Sequence, residues 1–338
     1  MRIAFVGKGG SGKTTLASLF ARTLAAGGKP VICIDADINQ HLGEALGLSA
    51  AESASLPPLG NEIRAIKEHL RGSNPLIASA DLMAKTTPPG AGSRLLRFSS
   101  AEASRDRAND PIFERFAQKI SSIPDPGAGS LVLMATGPFA EEDLGVSCYH
   151  SKTGAAELLL NHLIDGPGEY VIADMTAGAD SFASGLFSKF DLTAVAVEPT
   201  LKSISVFRQY KQYCEGFDIA LCAVGNKIAG AEDAEFLRRE LGDELAAAVS
   251  SSLYVRAAER GAIAPINQLE AENRSALGTL RALLDSQAKD WDKLLSQAWF
   301  FHQKNCASWA NAAYGADLTT QIDHSFSYEK LPSEVPEA

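Results

Sequence analysis

The sequence predicts an α/β protein with a doubly wound, mostly parallel sheet flanked by helices, followed by a helical C-terminal extension. Two observations predict this class. Short apolar segments alternate with helix-like segments along the chain. The segments are also apolar almost throughout, as strands are when helices cover both faces of a sheet. The candidate strands are residues 3–6, 30–34, 131–135, 170–173, 192–197 and 219–224.

The first predicted strand leads directly into a glycine-rich run, Gly7-Lys8-Gly9-Gly10-Ser11-Gly12-Lys13-Thr14, and then into helix-like residues 16–24. Glycines allow backbone N–H groups to surround phosphate oxygens, and the N-terminus of the following helix attracts the same charge. We expect Lys13 to reach the β- and γ-phosphates and the Thr14 hydroxyl to bind Mg²⁺. The run therefore predicts a nucleoside triphosphate site, with these residues in the phosphate cradle: Gly9, Gly10, Ser11, Gly12, Lys13, Thr14 and Thr15.

Aspartates end two further predicted strands. Asp35 and Asp37 follow residues 30–34, and Asp174 follows residues 170–173. Because ligands of open α/β sheets bind at the carboxyl ends of the strands, we expect these carboxylates near the phosphates. Asp174 is predicted to hold a Mg²⁺ water in a shell that includes Thr14 and Asp35. Gly178 is predicted to act as a hinge whose N–H meets the γ-phosphate.

The run from Lys8 to Thr15 resembles the deviant Walker A motif of the SIMIBI class, which includes MinD, ParA, the nitrogenase iron protein, arsenite-pump ATPases and CooC. The resemblance implies that Lys8 crosses a face-to-face homodimer in the ATP state and stabilises charge at the partner's nucleotide. Residues 35–42 look like the first switch of CooC-type proteins. By that resemblance Asp37 orients or deprotonates the attacking water, although Ile38 stands where a proline is usual.

The base is predicted from the segment Gly225-Asn226-Lys227-Ile228, which resembles the adenine-contacting segment of the same class. The Asn226 amide offers both a donor and an acceptor to a purine edge. A guanine site would favour an acidic residue at position 229, where this chain has alanine, so ATP is predicted. Residues 253–256 are a second candidate purine contact by the same resemblance.

Cys148 and His150 stand where CooC-type proteins carry a Cys-x-Cys pair that binds metal at the dimer interface. One thiolate and one imidazole from each subunit would form a tetrahedral site suited to Zn²⁺ or Ni²⁺. The alternative is a loop without metal. A second pair, His302 and Cys306, has helical i,i+4 spacing, but the aromatic residues 299–301 beside it favour core packing.

Composition excludes several classes of protein. A formal net charge of −10 argues against a nucleic-acid partner, which requires clustered Lys and Arg. No apolar run approaches the ~20 residues of a membrane span, and the first residues are a core strand, so neither a span nor a signal peptide is expected. Five scattered cysteines are typical of a reduced compartment, and we expect a cytoplasmic protein. Cys33 and Cys222 are expected in the core.

The domain organisation follows from these patterns. Residues 1–265 are predicted to form the P-loop ATPase domain, interrupted by a proline-rich insertion at about 50–129 over the active-site edge. Helices are predicted in it near residues 62–70 and 112–120. Residues 266–315 are predicted to be a helical extension. The acidic, proline-broken residues 316–338 are predicted to be disordered.

These features predict an ATP-hydrolysing accessory or maturation ATPase of the CooC/MinD type, whose nucleotide state controls metallocentre assembly or an unidentified client protein. The alternative is a MinD/ParA-like positioning or regulatory switch without metal. A third class is a metabolic enzyme that transfers the γ-phosphate to a small molecule, as in biotin-synthesis relatives of this fold. Metal at Cys148 and His150 distinguishes the first from the second.

Overall fold

The computed structural model describes residues 1–98, 110–121, 123–125, 130–138 and 150–330. The central sheet has eight strands in the order β10-β9-β8-β1-β7-β2-β5-β4, and a separate two-stranded sheet pairs β3 with β6. All neighbouring strands of the central sheet are parallel except β4, which runs antiparallel to β5. The predicted fold class is confirmed.

The strands are β1 (Arg2–Gly7), β2 (Val31–Ala36), β3 (Leu96–Phe98), β4 (Gln118–Lys119), β5 (Leu131–Ala135), β6 (Leu163–Asp165), β7 (Tyr170–Met175), β8 (Leu192–Val197), β9 (Leu221–Ile228) and β10 (Leu245–Ser250). The helices are α1 (Lys13–Ala26), α2 (Leu42–Ala45), α3 (Ala50–Ala54), α4 (Ile63–Arg71), α5 (Pro111–Phe116), α6 (His150–His162), α7 (Leu201–Cys214), α8 (Ala231–Leu241), α9 (Leu253–Ala258), α10 (Ala271–Asp285), α11 (Trp291–Asn305) and α12 (Asn311–Tyr314). Short 3₁₀ turns connect several of them.

The central strands are buried on both faces because each face packs against its own hydrophobic cluster. Along β2, for example, Ile32 and Ile34 belong to one cluster, whereas Val31 and Cys33 belong to the other. This is the reason that the strands read as continuous apolar runs. Cys33 and Cys222 are core residues as predicted, and burial raises the pKa of the Cys222 thiol to about 12.

The insertion contributes to the same core. Leu59 N–H donates to the Ala135 carbonyl at 2.9 Å, and Gly60 N–H donates to the Thr136 carbonyl at 3.0 Å. This segment therefore runs beside the carboxyl end of β5. The apolar face of α4, with Ile66 and Leu70, is fully buried in the cluster on that side of the sheet.

The predicted helix over residues 112–120 is wrong in its second half. Helix α5 ends at Phe116, and Gln118 and Lys119 then pair antiparallel with β5. The Ile120 N–H also donates to the Leu131 carbonyl. Pairing with β5 at the edge of the sheet therefore decides the structure of this segment, and the local helical pattern does not. Strands β3, β6 and β10 were not predicted.

The predicted disorder of residues 316–338 does not apply to residues 316–330. Leu318, Ile322 and Tyr328 are buried, and the Tyr328 hydroxyl donates to the Asn161 carbonyl of α6. The prolines of the tail, Pro332 and Pro336, lie beyond residue 330, so the composition that pointed to disorder belongs mainly to the last residues. Residues 331–338 lie outside the described residues.

The helices α10 and α11 fall within the predicted helical extension. His302 and Cys306 are both buried there, and the His302 ring contacts Thr86 Oγ1 and the Leu318 carbonyl at 3.0 and 2.9 Å. They therefore belong to the packing of the extension, as the aromatic neighbours indicated. No helix in the described part of the chain combines the length and the apolar character that crossing a bilayer requires.

Candidate nucleotide and magnesium site

The phosphate loop forms a tight turn between β1 and α1. The Ser11 N–H donates to the Lys8 carbonyl at 3.1 Å, and Gly12 precedes α1 with a φ of +89°. A Cβ at Gly12 would lie 2.1 Å from Asn226 Nδ2, so this position requires glycine for both its backbone angle and its space. The first residues of α1 carry the N–H groups that lack helical partners and suit an anion.

Asn226 supports this loop from the end of β9. Its side-chain Nδ2 donates to the Ser11 carbonyl at 2.8 Å, and the residue is buried. The structure thus places Asn226 against the phosphate loop. Its predicted contact with a purine edge stays a prediction.

Thr14 and Asp174 meet at the expected place for a Mg²⁺ ion. Thr14 Oγ1 donates to Asp174 Oδ2 at 2.5 Å, and Asp174 Oδ1 is buried without a hydrogen-bond partner among the described residues. Burial raises the pKa of Asp174 to about 7. An unsatisfied buried carboxylate oxygen beside a hydroxyl fits a divalent cation, because Mg²⁺ in phosphate sites takes one or two protein ligands with phosphate and water oxygens.

Asp35 organises the turn that follows β2. Its Oδ2 accepts the Leu42 N–H at 2.9 Å, and its Oδ1 accepts the Asp37 N–H at 3.2 Å. Burial and the nearby Asp174 raise the pKa of Asp35 well above its usual range, against the opposite effect of these N–H bonds. Its predicted place in the magnesium shell stays a prediction.

Asp37 and Lys13 form a buried ion pair over the phosphate loop. Lys13 Nζ lies 3.7 Å from Asp37 Oδ2, and both side chains are less than a tenth exposed. Asp37 Oδ1 accepts the Asn39 N–H at 2.9 Å, which fixes the carboxylate. The sequence predicted both residues in one site, and the structure brings them into contact.

Gly178 lies in the segment after β7 and has a φ of +74°, with free space around the position of a Cβ. Its carbonyl accepts hydrogen bonds from the Tyr210 hydroxyl at 2.8 Å and from Ser181 Oγ at 3.0 Å. Tyr210 lies on α7, and no local sequence signal connects it with this segment. Its hydroxyl therefore connects residues 175–178, the predicted second switch, to helix α7.

A cavity of about 460 Å³ opens beside the end of the phosphate loop. Thr14, Thr15 and Ser18 of α1 form one wall, and Tyr254 and Val255 of α9 form another. The second candidate purine segment, residues 253–256, therefore contributes to this wall. The volume of the cavity is within the range of small-molecule sites.

Lys8 has charged neighbours that the sequence did not predict. Lys8 Nζ is 3.6 Å from Glu198 Oε2, and Lys227 Nζ is 3.0 Å from the other oxygen of the same carboxylate. Lys8, Lys227 and Glu198 thus form a charged row beside the nucleotide site. Lys8 and Glu198 directly follow β1 and β8, and Lys227 lies near the carboxyl end of β9.

The structure does not test the candidate Zn²⁺ or Ni²⁺ site. Cys148 lies outside the described residues, and His150 is the first residue of α6. Within the described ranges, no group of three or more His, Cys, Asp or Glu residues is arranged to hold a metal ion.

Comparison with known protein families agrees with this geometry. Residues 3–262 match the model of the CobQ/CobB/MinD/ParA nucleotide-binding domain. The chain belongs to this family. The match covers every residue of the site described above, from the phosphate loop to α9, and it makes the chain a P-loop ATPase of the MinD/ParA type.

Individual members of the MinD/ParA family are similar over most of their length. The carbon monoxide dehydrogenase accessory protein CooC of Rhodospirillum rubrum is 27% identical over 84% of this chain and 97% of its own. An uncharacterised ATP-binding protein of Methanocaldococcus jannaschii is 28% identical over 72% of this chain and 81% of its own. The fold resembles that of the septum site-determining protein MinD of Pyrococcus horikoshii, solved with Mg-ADP, with a TM-score of 0.53, 13% identity and coverage of 84% and 96%.

Proposed function

We propose that this chain is a Mg²⁺-dependent ATPase that forms a homodimer in the ATP state and acts as an accessory ATPase in metallocentre assembly. One observation carries the ATPase part of the proposal. The phosphate loop, the Lys13–Asp37 pair and the Thr14–Asp174 pair meet at one edge of the sheet. These are the groups that phosphoryl transfer needs, since it depends on positioning and charge stabilisation.

Each residue has a role in that reaction. Lys13 exchanges the Asp37 carboxylate for the β- and γ-phosphate oxygens when ATP binds. Asp37, whose carboxylate accepts the Asn39 N–H, then positions the attacking water. Thr14 and Asp174 would hold Mg²⁺, which neutralises charge on the phosphates.

In the dimer, each nucleotide would gain one further cation, Lys8 from the facing subunit. The Lys8 side chain is a third exposed, so its ammonium group could reach a facing subunit once it leaves Glu198. Delivered across the dimer, it would stabilise charge on the partner's transferred phosphoryl group. Gly178 would report loss of the γ-phosphate to α7 through the Tyr210 hydroxyl.

The accessory role rests on two further features. The similarity to CooC extends over 84% of the chain. His150 is also the first residue of helix α6, and Cys148 precedes it by two residues in the sequence. We propose that two copies of this pair hold Zn²⁺ or Ni²⁺ at the dimer interface for a client protein in the cytoplasm.

The test of the accessory role is the metal content of the Asp37→Ala protein, purified with ATP and Mg²⁺ so that the dimer persists. We expect about half an equivalent of Zn²⁺ or Ni²⁺ per chain, because one four-coordinate site is shared by two subunits. Cys148→Ser in the same background should remove it, and Cys222→Ser, a buried cysteine far from the proposed site in sequence, should not. Metal-free dimers would contradict the metallocentre role and favour a regulatory switch.

A further inference from the structure

Three adjacent strands of the sheet place three charged side chains in a row. In the registers of the sheet, Gly7 of β1 pairs with Ala196 of β8, and Val197 of β8 pairs with Gly225 of β9. Because these strands are parallel, their carboxyl ends lie at the same edge of the sheet. Lys8 and Glu198 each come one residue after Gly7 and Val197, and Lys227, near the end of β9, comes two residues after Gly225. The sheet order itself therefore puts Glu198 between the two lysines.

The contacts match that placement. One oxygen of Glu198 faces Lys8 at 3.6 Å, and the other faces Lys227 at 3.0 Å. The Glu198 N–H donates to Ser203 Oγ at 3.0 Å, so the first turn of α7 fixes its backbone. The Lys227 ammonium also donates to the Gly10 carbonyl within the phosphate loop. Glu198 is thus a held carboxylate shared between two cations.

We propose that Glu198 restrains Lys8 over its own phosphate loop in the nucleotide-free protomer, and that this pair must break before Lys8 can serve a second copy of this chain. The proposal rests on the proposed function, in which Lys8 acts across the dimer. It deepens that function by naming an autoinhibitory contact within the protomer. Glu198 keeps Lys227 as a partner after Lys8 leaves, which lowers the cost of release.

The size of the effect follows from the exposure of the pair. The Lys8 and Glu198 side chains are 34% and 20% exposed, so solvent screens their attraction. Such a pair shifts an equilibrium by about 1.5- to 5-fold. Each dimer requires two pairs to break, and the factors multiply to about 2- to 25-fold in the dissociation constant of the dimer.

The experiment measures dimer dissociation constants by analytical ultracentrifugation with Mg²⁺ and a non-hydrolysable ATP analogue. Glu198→Gln should tighten the dimer of the full chain by about 2- to 25-fold relative to wild type. Glu215→Gln is the matched control, because it removes the same charge at the opposite end of α7. The difference between Glu198→Gln and wild type should shrink between low and high salt, as a screened ion pair requires.

Two kinds of failure are distinguishable. If wild type dimerises with the analogue and Glu198→Gln dimerises equally or more weakly, Glu198 does not restrain Lys8, while the proposed function stands. If Glu215→Gln tightens the dimer as much as Glu198→Gln, the effect is one of net charge and the restraint is again contradicted. If neither wild type nor Glu198→Gln dimerises at any concentration, the dimeric function fails and the restraint fails with it.

Discussion

At the scale of residues, some side chains of the candidate site could be predicted from the sequence and others could not. The glycines, Lys13, Thr14 and Asp174 could be predicted from the sequence, because each stands at the end of a predicted strand or the start of a predicted helix, where such residues bind phosphate or Mg²⁺. Glu198 and Tyr210 were not identified, because their partners, Lys8 and Gly178, are distant in the chain. Such contacts depend on strand order, which a single sequence does not specify.

A residue-scale electrostatic feature that can be tested is the buried Asp174. Burial raises its pKa from 3.8 to about 7 in the nucleotide-free protein. Between these two values the folded state binds the proton more tightly than the unfolded chain, so this group makes the protein less stable as pH rises through that window. The penalty is complete above pH 7 and absent below about pH 4.

We therefore expect Asp174→Asn to raise the free energy of unfolding at pH 8 by about 2–4 kcal/mol without nucleotide or Mg²⁺. Asparagine keeps an acceptor for the Thr14 hydroxyl but carries no charge. The gain should fall progressively towards pH 5, as followed by urea unfolding at several pH values. The exposed Asp243→Asn serves as the control and should show no such trend. A gain of equal size at every pH would contradict the assigned cause.

At the scale of elements, the apolar pattern predicted the central strands well but failed where tertiary pairing decides. Strand β10 has the sequence Leu-Ala-Ala-Ala-Val-Ser, whose alanines fit a helix as readily as a strand. Its pairing with β9 makes it a strand. The end of the insertion is a second example of tertiary contacts deciding the structure. Its prolines and glycine are typical of a surface loop, but Asp125 is buried and contacts α1.

Asp125 joins three elements around one arginine. Arg22 Nε of α1 donates to Asp125 Oδ2 at 2.8 Å, and both side chains are almost fully buried. The other Asp125 oxygen accepts the Ile266 N–H, and the Arg22 guanidinium lies over the Tyr254 ring at 5.7 Å. This pair therefore supports the α9 wall of the cavity beside the phosphate loop.

We expect Asp125→Ala to destabilise the protein by about 3–5 kcal/mol, because it leaves the Arg22 charge buried and unpaired. The double variant Asp125→Leu with Arg22→Met should recover most of that loss, since it removes both charges. Asp81→Ala breaks the exposed Arg64–Asp81 pair and should cost less than about 1 kcal/mol. Chemical denaturation measures all three. An Asp125→Ala protein as stable as Asp81→Ala would contradict this role.

At the scale of the whole molecule, the C-terminal extension is part of the ATPase and not a separate appendage. Helix α11 packs on the 3₁₀ turn Gly185–Lys189 that follows the predicted second switch, with Phe301 and Phe187 ring centroids 5.2 Å apart. The chain then reaches α6 through Tyr328. The sequence predicted the helices but not their docking site, because an apolar helix face does not specify its partner.

The most direct test of the proposed ATPase is a mixing experiment with two inactive variants. Lys8→Ala lacks the lysine proposed to act across the dimer, and Asp37→Ala lacks the group that positions water. A mixed dimer contains one complete site, because the Asp37→Ala subunit supplies Lys8 to the intact Asp37 of the other subunit. Lys8→Ala mixed with the double variant Lys8→Ala/Asp37→Ala forms no complete site and is the control.

We expect each variant alone to be nearly inactive and their equal mixture to recover about one quarter of the wild-type rate. Random pairing makes half of the dimers mixed, and each mixed dimer holds one active site of two. Phosphate release with Mg²⁺ and ATP measures the rate. Recovery would establish that Lys8 acts on the partner's nucleotide. A mixture as inactive as its components, or a Lys8→Ala protein with full activity, would contradict it.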